Sequence, residues 1–144
     1  MRALVAAFVL LLAACATTGP TPEGFAPYKG SPTRAVSPDG VLFKASVIDN
    51  EPVADLAFWA EALRRRQENA GYNVISETII KADGLDGSLL ELETPWGAAD
   101  YTYLIAIFVD GADLHVVEAA GDVTHIEAHR ASLLAAIEST IEER

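Results

Sequence analysis

Cysteine is almost missing: the 144-residue chain has one, Cys15. A lone thiol excludes an internal disulfide, so the fold has to stand on burial. Basic residues are scarce as well, 10 Lys and Arg against 21 Asp and Glu, for a formal net charge of −11. A surface of that sign repels phosphate backbones and argues against nucleic acid as a partner. It leaves basic proteins or cations as charge-matched partners, and it also serves simple solubility. No apolar run reaches the roughly 20 residues that a membrane-spanning helix needs. Catalytic signatures are lacking too: there is no GxSxG elbow, no HExxH, no P-loop and no dinucleotide glycine pattern. With 51% apolar residues the chain is nonetheless too hydrophobic to remain disordered.

What is present begins at the first residues. Met1-Arg2 precedes ALVAAFVLLLAA, Ala3 to Ala14, with no polar position to make an amphipathic face. A basic start, a short apolar stretch and a small-residue exit is the layout of an export signal. Residues Leu12-Ala13-Ala14-Cys15 then resemble the lipobox of bacterial lipoproteins. The resemblance implies cleavage before Cys15, a diacylglyceryl group on its sulfur and an acyl chain, such as palmitate, on the new amino terminus. Two or more chains make a stable membrane anchor, because each buried methylene adds about 0.8 kcal/mol. Ala16 stands where an aspartate often retains such proteins at the inner membrane. The resemblance therefore implies an outer-membrane anchor facing the periplasm in a Gram-negative cell, or the outer face of the cell membrane otherwise.

The chain divides accordingly into a signal peptide over 1–14, a lipidated amino terminus with a tether over 15–32, and one domain over 33–144. Pro20, Pro22, Pro27 and Pro32 fall in the tether with Gly19, Gly24 and Gly30, and no periodicity runs through it. Phe25 and Tyr28 are its candidates for docking onto the domain. Within the domain, Ser37-Pro38-Asp39-Gly40 has type I turn chemistry and feeds the alternating Val41, Phe43, Ala45 and Val47. Asn50 or Glu51 is placed to cap a helix with Pro52 in its first turn, and Gly71-Tyr72 to end it. Strands follow over 73–82 and 88–94, the latter with Glu91 and Glu93 expected to face water. In YTYLIAIFV (101–109) both faces are apolar, the mark of a central covered strand. A last strand covers 114–119, and Thr124 with Glu127 fits a capping box for the closing helix.

The order β-β-α-β-β-β-β-α, with hairpin connections, predicts an α+β fold: an antiparallel sheet of about five to six strands sandwiched by two long helices. The SPDG turn, the Gly71-Tyr72 helix end, Tyr101-x-Tyr103, Gly121 and the closing helix resemble the Mog1/PsbP-like domain over 33–144. That resemblance implies a binding or assembly module and carries over no functional residue.

The site candidates are few. His125 and His129, four apart on one helix, can reach one ion, although HIEAH has its glutamate at the wrong offset for a metalloprotease. His115 and Glu118 fall on opposite faces of one strand by period two. Asp83 with Asp86, and Asp110 with Asp113, sit in turns without the alternating oxygens of a calcium loop. Arg64, Arg65 and Arg66 form the one basic cluster, wrapped around a helix. Trp96, in TPWGAAD, and Tyr101 are the aromatic candidates for a partner contact. The expectation is a lipid-anchored, non-catalytic binding or assembly-accessory protein of the cell envelope, using Cys15 and no cofactor or metal. A small envelope hydrolase or ligand-binding enzyme with a dispersed site is the alternative, and a metal-binding lipoprotein on His125 and His129 the second.

Overall fold

Alternation of apolar residues, punctuated by two-residue turns, produces a seven-stranded antiparallel sheet. The computed structural model describes residues 20–96 and 99–141, without the side chains of Pro95, Trp96 and Ala99. The strands are β1 (Ala26–Tyr28), β2 (Ser31–Val36), β3 (Leu42–Asp49), β4 (Asn73–Ala82), β5 (Leu85–Trp96), β6 (Ala99–Asp110) and β7 (Asp113–Asp122). Helix α1 (Leu56–Asn69) joins β3 to β4, and α2 (Val123–Glu138) follows β7. The spatial order is β1-β2-β3-β7-β6-β5-β4. Neighbouring strands in sequence are paired everywhere except at α1, which carries the chain from β3 to the opposite edge of the sheet.

Period two gives each face its own core. On the α2 side, Phe43, Leu104, Phe108 and Val117 pack beneath Ile126, Leu133 and Ile137. On the α1 side a smaller cluster of Leu90, Leu92 and Ile105 meets Leu63, Tyr72 and Val74. Each fully buried Leu or Ile contributes about 1.5–3 kcal/mol, so the α2 side holds most of the stability. Gly87 is part of that packing, because a Cβ there would lie 2.4 Å from the Phe108 ring.

Several expectations are met in detail. Gly40 (φ 90°) closes the SPDG turn, with its N–H donating to the Ser37 carbonyl at 3.0 Å. Gly71 (φ 94°) ends α1 in a Schellman arrangement, Tyr72 N–H reaching back to the Gln67 carbonyl at 3.1 Å. β6 is covered on both faces, by α1 and by α2.

Other expectations give way. The sheet has seven strands where five to six were expected, because residues read as tether contribute β1 and the start of β2. Phe25 anchors that segment by packing its ring edge-on to His129, 5.2 Å between centroids. Helix α1 starts at Leu56 under Asp55, whose carboxylate accepts from Phe58 N–H at 2.9 Å. Asn50 is no cap: its amide is buried and used up by tertiary hydrogen bonds. Helix α2 is capped by Asp122, which accepts from Thr124 N–H at 2.9 Å, and Glu127 pairs with Arg130 in place of a capping box. β7 runs straight into α2, so the last strand residue does the capping. The Glu91 side of β5 does not face water but lies under α2, where Arg130 grips the carboxylate with two nitrogens, at 2.7 and 3.2 Å.

Candidate binding groove

Helix α1 packs on β4, β5 and β6 only, so among the described residues no helix lies over the same face of β2, β3 and β7. Beside the helix end this leaves an open groove of about 550 Å³. Register dictates what lines it. One row across the strands reads Val36–Leu42–Ala120–Tyr103–Leu92, and the next Arg34–Lys44–Glu118–Ile105–Leu90. Ala120 is too small to fill the space between Leu42 and Tyr103, which opens the floor.

All four tyrosines of the chain, Tyr28, Tyr72, Tyr101 and Tyr103, line this one groove. Tyr72 and Tyr103 meet at 5.7 Å between ring centroids, tilted by 52°. Tyr28 lies under the Arg34 guanidinium, 5.3 Å from ring centre to Cζ, in a cation–π contact. In the middle of the floor the Tyr103 hydroxyl donates to a Glu118 carboxylate oxygen. Burial, then the Glu118 carboxylate beside it, raises the Tyr103 phenol well above its ordinary value; the positive charge of Arg66 opposes that rise. The phenol thus stays protonated and donates. Lys44 stands 4.0 Å from the other Glu118 oxygen. Also lining the groove is Thr94, whose buried hydroxyl has no hydrogen-bond partner among the described residues.

The charges around the groove differ from those elsewhere. Arg64, Arg65, Lys81 and Arg130 are each held by a carboxylate within hydrogen-bonding reach. Arg34 contacts a ring and no carboxylate among the described residues, and Lys44 only approaches Glu118. In a strongly acidic protein, Arg34 without a carboxylate and Lys44 at the limit of an ion pair, beside exposed tyrosines, suit a ligand with an apolar or aromatic body and an anionic group. Among the described residues lining the groove there is no serine, cysteine or histidine.

The other candidates are dispersed. Tyr101 joins the groove, while the side chain of Trp96 and all of Cys15 lie outside the described residues. In the arginine run, Arg64 bridges Glu61 and Glu68 and Arg65 bonds Glu61, at 2.6–2.8 Å, so two of the three serve the helix itself. Arg66 alone bears on the groove, through its field at Tyr103. His129 Nε2 sits 2.9 and 3.0 Å from the two oxygens of Asp39, tying the SPDG turn to α2. The Ser37 hydroxyl first, and His129 second, hold the Asp39 carboxyl below its usual range. Among the described residues no three metal-binding side chains converge. His115 is buried on the α2 side, 3.9 Å from Asp110, with Glu118 on the opposite face. The acidic turns are plain hairpins: Asp83-Gly84 has positive φ at both residues and Gly111 has φ 60°.

Sequence reasoning missed Tyr28, Tyr72, Tyr103, Arg34, Lys44 and Glu118 as a group. Alternation puts Tyr101 and Tyr103 on one face, but the rest depends on strand order.

No protein-family model matches the chain, and no curated protein matches it. Solved structures do. PA94 of Pseudomonas aeruginosa, a protein of unknown function named as a candidate regulator, superposes with a TM-score of 0.55 at 16% identity, over 79% of this chain and 76% of its own. PsbP (CyanoP) of Synechocystis sp. PCC 6803 superposes with a TM-score of 0.56 at 11% identity, over 83% and 82%. At such identities the likeness is one of fold, and the fold is PsbP-like.

Proposed function

We propose that this is a non-catalytic binding or assembly-accessory protein of the cell envelope, moored through lipid on Cys15, with the tyrosine groove as its contact surface. One observation carries the binding reading: four tyrosines from three separate parts of the chain converge on a single open groove. Core packing does not require it, since Tyr28 and Tyr101 remain 41% and 40% exposed. Tyrosine gives a large, stiff, amphipathic contact area at small entropic cost, which is why it recurs at binding surfaces. The PsbP-like fold and the lipobox resemblance support the accessory and envelope parts of the reading.

Two measurements test the two parts separately. Mass spectrometry of the protein from its native host should find acyl chains on a chain beginning at Cys15; an unmodified, freely released species would refute the anchor. For the groove, a photo-crosslinking residue replaces Leu42 on the groove floor, and a control replaces the exposed Glu138 on α2. Adducts formed in native membranes from position 42 alone support the reading. Adducts from neither position, or equally from both, defeat it.

A further inference from the structure

β4 forms one edge of the sheet, and among the described residues no strand lies beside its outer backbone groups. Sheet edges of soluble proteins are normally broken up by charge, bulges or a covering element. Here the edge carries Ile79, 68% exposed, and Ile75, 55% exposed. A bulge between Val74 and Ser76 ends regular pairing on one side, and the Asp83-Gly84 turn ends it on the other. The regular stretch is therefore Ser76 to Ala82, with Ile79 at its midpoint.

The turn also settles which groups point outward. A two-residue turn with both φ values positive closes on a hydrogen-bonded pair, here Ala82 and Leu85. Alternation then directs the N–H and C=O of Ala82, Ile80 and Thr78 to β5. Those of Lys81, Ile79 and Glu77 point away from the sheet.

We propose that β4 pairs antiparallel with β4 of a second copy, about a two-fold axis through Ile79. That register sets Ile79 against the partner subunit's Ile79, and Glu77 against the partner subunit's Lys81, twice by symmetry. The three residues whose backbone groups point outward are the three that this register bonds. Glu77, Ile79 and Lys81 also share one face, as their pairing with Leu90, Ser88 and Asp86 requires. An exposed apolar residue at the centre, with opposite charges at equal distances on either side, is self-complementary in this register. A shift by one residue puts Ile79 opposite Ile80 or Thr78 and sends Glu77 and Lys81 to different faces.

The test is sedimentation equilibrium of the full chain in density-matched detergent. The wild type is expected to be a dimer, and Ile79→Lys a monomer. Glu77→Lys alone sets two lysines against each other across the axis, and Lys81→Glu alone sets two glutamates against each other. Each should weaken self-association roughly 30-fold, from loss of two attractions and gain of two repulsions. Position 77 of one subunit always meets position 81 of the other, so an equimolar mixture of the two single variants sets the two lysines of one subunit against the two glutamates of the other. In that heterodimer lysine meets glutamate at both contacts, so mixing should restore the dimer, and a mixture that stays monomeric overturns the proposal. The double variant Glu77→Lys with Lys81→Glu likewise sets lysine against glutamate at both contacts and should dimerise as the wild type does. Its recovery also shows that neither substitution prevents folding. A monomeric wild type overturns the proposal, and so does a dimer indifferent to the single swaps or a double variant that stays monomeric.

Discussion

Asn50 holds three elements together through one buried amide. Its Nδ2 donates to the carbonyls of Ala54 (3.1 Å) and Gly111 (3.0 Å), and its Oδ1 accepts from Ala54 N–H (3.1 Å) and Trp59 Nε1 (2.7 Å). The amide orientation is dictated by chemistry, since an indole N–H can only donate. These bonds tie the end of β3 to the β6–β7 turn and to the start of α1. Asn50→Ala removes four hydrogen bonds at about 1 kcal/mol each. Trp59 and Ala54 are half-exposed and recover water, so about 2–3 kcal/mol of destabilisation should remain. Urea unfolding would read this as a lower midpoint at unchanged slope, with a melting temperature lower by about 10 °C. Asn50→Asp keeps Oδ1 but sets a second carboxylate oxygen against the two carbonyls. The anion is then disfavoured in the folded state, so the folded pKa rises above the unfolded value of about 3.9. Stability is retained below that value and lost as pH rises through the folded one. The aspartate variant should therefore be weaker than alanine at pH 7 and gain on it toward pH 4. An alanine variant within 0.5 kcal/mol of wild type, taking roughly that as measurement error, would refute the account.

Gly87→Ala places a Cβ 2.4 Å from Phe108 Cε1 and 2.9 Å from the Ile107 carbonyl, and Phe108 is fully buried. Urea unfolding should show a loss of about 1–3 kcal/mol, partly relieved by adding Phe108→Leu. Alkaline titration followed by ultraviolet absorbance should find Tyr103 ionising last of the four tyrosines, through burial first and Glu118 second. A raised phenol pKa contributes stability that is whole below about pH 10 and lost as pH climbs. Glu118→Gln should bring this ionisation to lower pH, and Tyr103→Phe should remove it.

Local chemistry in the sequence predicted local structure well. The SPDG turn, the Gly71-Tyr72 helix end and the two-faced β6 all follow from residues within a few positions of one another. Failures came where a distant residue decides. Glu91 looks solvent-facing by alternation, and only the path of α2 shows that Arg130 covers it. Thr124 fits a capping box, yet Asp122 takes the cap because β7 enters α2 with no intervening loop. β1 was hidden in a proline-rich stretch, because a three-residue edge strand leaves no periodicity to read. The groove was hidden for a related reason. Tyr28 sat in a stretch read as tether and Tyr72 in a helix cap, and their convergence depends on β3 lying beside β7.

Sheet order also separates the two proposed surfaces. The groove lies mainly over β2, β3, β7 and β6, with Tyr72 and Thr94 also in its lining, whereas the self-pairing stretch of β4 is centred on Ile79, which is not among its lining residues. Extending the sheet at β4 leaves each groove on the far side of its own subunit, so a dimer would present two grooves pointing outward. A ligand carrying two copies of the recognised group could then be held by both, with a gain set by effective concentration. Glu77→Lys weakens the dimer without touching a groove residue. It should leave the affinity for a monovalent ligand unchanged while lowering that for a divalent one, and an equal loss for both would mean that the two surfaces are coupled.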